Sequence, residues 1–210
     1  MWHACHNEVM IKETFTNLAE NKRAHILSKA HHMFATQGFE ATTIRDIVRL
    51  SKISRGSFYQ YFDDLVDVFN ACLNDVTEKK LVYMDDLMSQ VGQIPFIKLY
   101  ALMMEKGIDF AYAFKDEALS IARVFRSPHP DIQTLHQSIH SRGITMYESL
   151  IEADKASGFM DPYIDTHVLA KTLYSFNEHV IVTWFEAGME KSELTENAHH
   201  FLTIINQGIE

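Results

Sequence analysis

The 210-residue sequence has few of the features that mark secreted, membrane-spanning or catalytic proteins. Its two cysteines, Cys5 and Cys72, are too few for a disulfide framework, which favours a reducing, cytoplasmic compartment. Its apolar runs stay well short of the roughly 20 residues that a membrane helix needs, and residues 1–12 do not have the pattern of a signal peptide. The sequence has neither a glycine-rich phosphate loop nor a nucleophile elbow, so we expect no enzyme and no membrane association.

Proline is also scarce: four occur, and none precedes Pro95. Since proline ends or begins helices, the first 94 residues can hold long helices, and the later prolines separate others. Apolar residues recur at the helical period, without the alternation that is typical of strands. We therefore predict an all-α protein of about nine helices, at residues 20–37, 43–50, 55–61, 64–91, 96–114, 116–126, 131–157, 164–187 and 192–208.

The first three predicted helices have the end signals of a helix-turn-helix. Gly38 can adopt a positive φ after the first helix, Thr42 or Thr43 can cap the second, and Ser54 can cap the third. This pattern predicts a DNA-binding domain at 20–62, after an N-terminal leader at 1–19. A second helical domain is expected at 63–210. Residues 1–9 differ from the rest in composition, so Met10 is a candidate natural start.

The distribution of charge agrees with DNA binding at one end of the chain. The net charge of −9 at first argues against a nucleic-acid partner. Residues 17–62, however, contain seven Lys or Arg and three Asp or Glu, a net charge of +4, which leaves −13 for the remainder. A basic segment attached to an acidic body favours DNA contact confined to that segment.

Two tracts resemble the TetR family of repressors, namely residues 38–47 (GFEATTIRDI) and residues 54–62 (SRGSFYQYF). The resemblance covers about residues 15–75, and beyond it only helix number and length agree with the family. It implies a repressor that binds an inverted repeat in double-stranded operator DNA. It also implies that residues 63–210 form a helical ligand-binding and dimerisation domain, with a homodimer formed by the last two long helices and an inducer pocket enclosed by the C-terminal helices.

The predicted DNA contacts rest on this resemblance and on side-chain chemistry. Arg45, Arg55 and Gln60 are candidates for base edges, because arginine can pair with guanine and glutamine with adenine. In the family, the position of Tyr59 commonly touches phosphate, and hydroxyls at a helix N-terminus suit phosphate as well. The full predicted set is Lys22, Thr42, Thr43, Arg45, Ser54, Arg55, Gly56, Ser57, Tyr59, Gln60 and Tyr61.

Other residues of this segment set limits on the prediction. Phe58 and Phe62 are expected in the core, while Tyr61 suits either the core or phosphate. The family usually has glycine where this chain has Lys52, so Lys52 must adopt the left-handed conformation or the turn must differ. Asp63 and Asp64 stand where the family often has a phosphate-binding lysine. These departures leave open a TetR-like module that binds a protein partner and no DNA.

The bulky residues of the C-terminal part indicate the chemical class of the inducer. Methionine beside aromatic side chains can line an adaptable apolar pocket, so we expect a small apolar or amphipathic inducer. The candidates for ligand contact are Met103, Phe110, Phe125, Tyr147, Phe176, His179 and Trp184. Apolar residues of 164–187 and 192–208, such as Phe201 and Ile205, suit the dimer interface.

Histidine spacing supports a further alternative, a metal- or haem-sensing regulator. His136 and His140 are four residues apart on one helix, and His129 precedes His136 by seven residues. No Cys or carboxylate cluster accompanies them in the sequence, so we predict no metal and no cofactor. The N-terminal Met1-Trp2-His3 segment, with Cys5 and His6, is a weaker candidate for copper or nickel.

Overall fold

A computed structural model describes residues 11–209, except for the side chains of residues 88, 181, 182, 184, 208 and 209. Within these residues the secondary structure is helical, without strands, which confirms the predicted all-α class. The helices are α1 (Glu13–Thr16), α2 (Glu20–Ala41), α3 (Ile44–Ser51), α4 (Arg55–Tyr61), α5 (Leu65–Tyr83), α6 (Asp85–Met88), α7 (Phe96–Ala113), α8 (Lys115–Val124), α9 (Pro130–Ala156), α10 (Thr166–His179) and α11 (Lys191–Ile209). A π-helical segment, Val180–Phe185, follows α10. No described helix is both long and apolar enough to cross a membrane.

The helices form two compact units, each built from separate stretches of the sequence. The head unit contains the described residues up to Lys79 and the segment Phe114–His136. The body unit contains Lys80–Ala113 and the described residues from Gln137 onwards. The functional boundary predicted between residues 62 and 63 stays a prediction, because compact packing does not by itself divide functions.

The core of the head unit is rich in phenylalanine. Phe34 and Phe69 are fully buried and meet edge to face, with ring centroids 5.9 Å apart. Residues far along the chain complete this core. Val124 and Ile132 are also fully buried there, and Phe125 packs its ring against Phe69 at 5.7 Å. The head unit therefore needs α8 and the start of α9 in addition to the first five helices.

A buried polar cluster lies beside this core. His31 is 1% exposed, and its Nδ1 lies 2.7 Å from Ser120 Oγ while its Nε2 lies 3.2 Å from Asp75 Oδ2. Lys79 Nζ is 2.8 Å from a carboxylate oxygen of both Asp75 and Glu117. Burial alone would raise the pKa of Asp75, but hydrogen bonds from His31 and Lys79 and the Lys79 charge lower it overall. The cluster ties α2, α5 and α8 together through paired charges.

The ends of three helices can be compared with those that the sequence predicts. Gly38 interrupts α2 with a φ of 76°, as the sequence predicted, and Lys52 ends α3 in the left-handed conformation with a φ of 52°. The predicted helix at 64–91 was too long. It ends at Tyr83, because Met84 has a φ of −104° and a ψ of 4°, and the short α6 follows.

The body unit is organised around tyrosines. Tyr100 and Tyr147 are buried edge to face, 5.7 Å apart, and Tyr100 donates a hydrogen bond to the Leu173 carbonyl at 2.8 Å. The buried Asp154 of α9 accepts a hydrogen bond from the Phe96 amide at the start of α7. Burial raises the pKa of Asp154. These contacts join α7, α9 and α10 in one unit.

Candidate nucleic-acid interface

Both α3 and α4 begin with a side-chain cap. Thr43, not Thr42, caps α3 by accepting a hydrogen bond from the Asp46 amide at 3.2 Å. Ser54 caps α4 in the same way, accepting from the Ser57 amide at 3.0 Å, with the two serine hydroxyl oxygens 2.9 Å apart. Each cap satisfies an amide that has no partner inside its helix. Each of these two short helices therefore begins at a defined residue.

One face of α4 is buried and the other is open. Phe58 is fully buried, and Phe62, directly after the helix, is 1% exposed. Arg55, Gly56 and Gln60 of the same helix are exposed to solvent. The buried aromatic rings fix the helix to the head unit, so that its polar face is held towards solvent.

Tyr59 is the exposed aromatic side chain of this helix, at 42% exposure. Its ring packs edge to face on Phe58 at 5.4 Å, and the Arg55 guanidinium lies 5.8 Å from its centroid. A cation over an aromatic ring is attracted to it, which limits the freedom of both side chains. Tyr59 and Arg55 therefore restrain each other on the exposed side of α4.

The structure resolves the two roles predicted for Tyr61. Its ring is 7% exposed and packs against Phe15, so it belongs to the core. Its hydroxyl nevertheless accepts a hydrogen bond from Lys22 Nζ at 3.1 Å. Because Lys22 is exposed, a basic group stands at the edge of the α4 surface.

Among the other predicted contacts, Thr43 and Arg45 are exposed at the start of α3. Thr42 is not: it is 3% exposed, and its hydroxyl donates to the Gly38 carbonyl at 2.6 Å. Its hydroxyl stabilises the turn after Gly38, so Thr42 is left out of the surface proposed below.

The acidic pair after α4 is engaged inside the head unit. Asp64 accepts from the Asp67 amide at 3.0 Å, and Asp67 accepts from the Asp63 amide at 2.8 Å, which closes the start of α5. The Asp63 carboxylate forms an ion pair with Lys12. Sequence reasoning had placed Lys12 in the leader, and nothing in the local sequence signals a contact with a residue 51 positions away.

Comparison with known proteins agrees with this geometry. Residues 26–72, which contain the helix-turn-helix, match the family described as "Bacterial regulatory proteins, tetR family". The HTH-type transcriptional regulator HbdR of Aromatoleum sp. (strain CIB) is 29% identical over 171 residues, which cover 78% of this chain and 70% of HbdR. Residues 26–72 thus carry the DNA-binding domain of TetR-family transcriptional regulators.

Two further proteins resemble this chain over most of its length. The HTH-type transcriptional repressor KstR2 of Mycolicibacterium smegmatis is 24% identical over 201 residues, covering 90% of this chain and 91% of KstR2. The crystal structure of the regulator FadR from Bacillus subtilis in complex with stearoyl-CoA has a TM-score of 0.72. That match has 13% identity and covers 85% of this chain and 96% of FadR, so it shows a shared fold.

The candidate ligand residues do not all lie in one unit. Met103, Phe110 and Tyr147 are buried in the body unit. The Tyr147 hydroxyl accepts from Asn177 Nδ2 at 3.2 Å, and burial raises the pKa of Tyr147. Phe125 belongs to the head unit, because its ring packs on Phe69, and it is left out of the pocket proposed below.

The remaining ligand candidates lie on α10 and just after it. Phe176 stacks on Phe201 of α11, with ring centroids 3.5 Å apart and planes 13° from parallel. His179 is exposed at the end of α10. Trp184 lies in the π-helical segment, and its side chain is outside the described residues.

The histidines that supported the alternative of a metal or haem sensor lie in separate surroundings. His136 stacks on Phe125 at 4.5 Å, whereas His140 lies edge to face on Tyr174 at 5.0 Å, in the other unit. His129 packs on Phe39 at 5.3 Å. Within the described residues, no three His, Cys, Asp or Glu side chains are grouped to hold a metal ion. The N-terminal metal candidate, residues 1–6, lies outside the described residues, as does Met10.

Proposed function

We propose that this chain is a homodimeric repressor that binds an inverted repeat of operator DNA and is released by a small apolar or amphipathic inducer. The observation that carries the proposal is the restrained polar face of α4. Arg55, Tyr59 and Gln60 are exposed on it, while Phe58 behind them is fully buried. A short, rigidly held helix with such a face suits the major groove of DNA.

The proposal assigns two kinds of contact to this surface. Arg55 and Gln60, with Arg45 of α3, read base edges through paired hydrogen bonds. Tyr59 and Lys22 contact phosphate, which positions the protein without reading sequence. The cap hydroxyls of Ser54 and Ser57, and the Gly56 and Thr43 positions, lie beside these groups and allow the DNA backbone to approach.

The decisive experiment measures binding to the intergenic DNA that flanks the gene, by fluorescence anisotropy at several salt concentrations. Gln60→Ala should reduce discrimination at one base pair by about 1–3 kcal/mol. Tyr59→Phe should weaken binding to every sequence alike. The matched control is Gln137→Ala, an exposed glutamine on α9, which should bind as the parent does.

An absence of binding at low salt, with and without candidate inducers, would contradict the proposal. In that case the chain would be a TetR-like module for a protein partner. Equal losses for Gln60→Ala and Gln137→Ala would instead show that α4 does not read the operator.

The homodimer is assigned to α10 and α11. These helices pack together within one chain through Phe176 and Phe201, and each still exposes apolar side chains. Val168 of α10 is 60% exposed and Ile204 of α11 is 69% exposed. A second copy would bury this apolar surface, which water otherwise disfavours.

The inducer is assigned to the body unit. The supporting observations are the aromatic and methionine side chains of that unit and the fold shared with FadR, which was solved with stearoyl-CoA.

An apolar ligand at a hundred times its dissociation constant stabilises the folded protein by about 2.7 kcal/mol. Stearoyl-CoA and stearate should therefore be tested by thermal shift and then for release of operator DNA. Linkage requires a ligand that prefers the released state to weaken operator binding, so a hit that leaves operator affinity unchanged would refute the coupling.

A further inference from the structure

The recognition helix α4 is held at its C-terminal end by residues that precede the helix-turn-helix. The last carbonyls of a helix have no amide partner within it. In α4, the Phe58 carbonyl is satisfied by the Phe62 amide at 2.8 Å. The next two receive side chains from residues 12–16: Lys12 Nζ donates to the Tyr59 carbonyl at 3.2 Å, and the Thr14 hydroxyl donates to the Gln60 carbonyl.

Lys12 makes a second contact at the same place. Its ammonium group pairs with the Asp63 carboxylate, whose side chain is 75% exposed. An unpaired carboxylate beside the α4 surface would repel phosphate, whereas a paired one does so less. A lysine at a helix C-terminus also interacts favourably with the helix dipole. Lys12 therefore caps the helix and offsets one acid of the Asp63–Asp64 pair.

This segment is itself firmly attached to the head unit. Phe15 is 1% exposed, and its ring lies 4.7 Å from that of Phe62. Arg23 of α2 donates to the Thr16 carbonyl at 3.1 Å. A buried ring and a hydrogen bond to α2 thus hold residues 12–16 where they meet α4.

From these contacts we infer that residues 12–16 form a strap that positions the recognition helix, with Lys12 and Thr14 as positioning residues for operator binding. A helix of seven residues has little stability of its own and depends on its surroundings. Base readout requires Gln60 to be held in place, and Thr14 bonds the Gln60 carbonyl itself. The consequence for DNA rests on the proposed function, whereas the effect on α4 does not.

The first test compares two threonines of the strap. Thr14→Val removes the hydroxyl that reaches α4, whereas Thr16→Val removes one that bonds only the Glu13 carbonyl of its own turn, at 3.1 Å. Hydrogen exchange in the DNA-free protein, read at the Phe62 amide relative to the Ile47 amide of α3, should be about twofold to tenfold faster in Thr14→Val than in Thr16→Val. Operator affinity should fall by a similar factor, the range expected for one hydrogen bond.

The second test separates positioning from direct phosphate contact by Lys12. The variants are Lys12→Met, Asp63→Asn and the double substitution, each measured for operator affinity across a salt series. If Lys12 acts by capping α4 and neutralising Asp63, the Asp63→Asn change should recover part of the affinity lost in Lys12→Met. If Lys12 instead binds phosphate, Lys12→Met should lower the salt slope by about 0.9 and Asp63→Asn should act equally in both backgrounds.

The outcomes distinguish this inference from the proposed function. If the parent protein binds no DNA, the proposed function fails, and exchange at Phe62 still tests the strap. Equal exchange in Thr14→Val and Thr16→Val overturns the strap. Faster exchange with unchanged operator affinity overturns its role in DNA binding, as does the additive result for Lys12 and Asp63.

Discussion

A single methyl group in the middle of α9 should be strongly destabilising, because Gly143 packs directly under a tyrosine. A Cβ atom added at Gly143 would lie 2.7 Å from Tyr174 Cζ and 2.9 Å from Cδ2, and closer still to Cε2. Real Cβ contacts essentially never fall below 3.0 Å, so the ring must move. It has little freedom, because it meets His140 at 5.0 Å on one side and Tyr147 at 5.8 Å on another.

A second helical glycine of the same unit provides the control. A Cβ at Gly107 of α7 would have Met84 Cε as its nearest neighbour, at 3.9 Å, which is an ordinary contact. Gly107→Ala should therefore stabilise the protein by about 0.5–1 kcal/mol, the usual gain of alanine over glycine in a helix. Gly143→Ala has the same gain but adds an overpacking cost of about 1–3 kcal/mol. The difference between the two variants isolates that cost.

Thermal unfolding at one fixed protein concentration is the appropriate assay, since the proposed dimerisation would make the melting temperature concentration-dependent. For a chain of this size, about 1 kcal/mol corresponds to about 2–4 °C. We therefore expect Gly143→Ala to melt about 2–12 °C below Gly107→Ala, and Tyr174→Leu to reduce the gap when combined with Gly143→Ala. Equal melting temperatures for the two alanine variants would refute the close packing of α9 on α10.

Three further predictions follow from strain, charge and exposed apolar surface. In urea denaturation, Lys52→Gly should raise the free energy of unfolding by about 0.5–1 kcal/mol, because glycine accepts the left-handed conformation without strain. Lys52→Ala keeps the strain, so it should change the free energy of unfolding little. The lowered pKa of Asp75 contributes stability that is complete above its ordinary value of 3.8 and is lost as the pH falls below it. Asp75→Asn should thus be less stable at pH 7 but lose less stability on acidification, and parallel pH profiles of the two proteins would contradict this. Ile204→Glu should convert the proposed dimer to monomer at micromolar concentration in analytical ultracentrifugation. Helix content should not fall, because Ile204 is exposed within one chain. A variant that stays dimeric would place the interface elsewhere.

The helix-turn-helix was predictable from the sequence because its signals are local. The φ of Gly38 and the caps of the next two helices, by Thr42 or Thr43 and by Ser54, all depend on residues within one helical turn. The burial of Phe58 and Phe62 against the exposed polar side of α4 likewise follows from the helical period. Local chemistry therefore determined where the candidate DNA surface lies in the chain.

Other features were decided by tertiary packing, which a local pattern does not specify. Thr42 and Thr43 are adjacent residues of the same type, yet packing buries one and leaves the other exposed as a cap. Lys12 had no interpretable role in the sequence until the fold brought it to Asp63. Phe125 resembled the aromatic residues of the body, but α8 packs in the head unit, and with it this ring.

The physical reason for this division is the range of the forces involved. Caps and helical periods are set by bonds between residues three or four apart, so a sequence of any fold displays them. Which helices share a core depends on how their apolar faces fit together across the whole chain. The sequence by itself thus determined most of the helices and the position of the helix-turn-helix. Only the tertiary structure decided that α8 and the start of α9 complete the head unit, and that residues 12–16 contact α4.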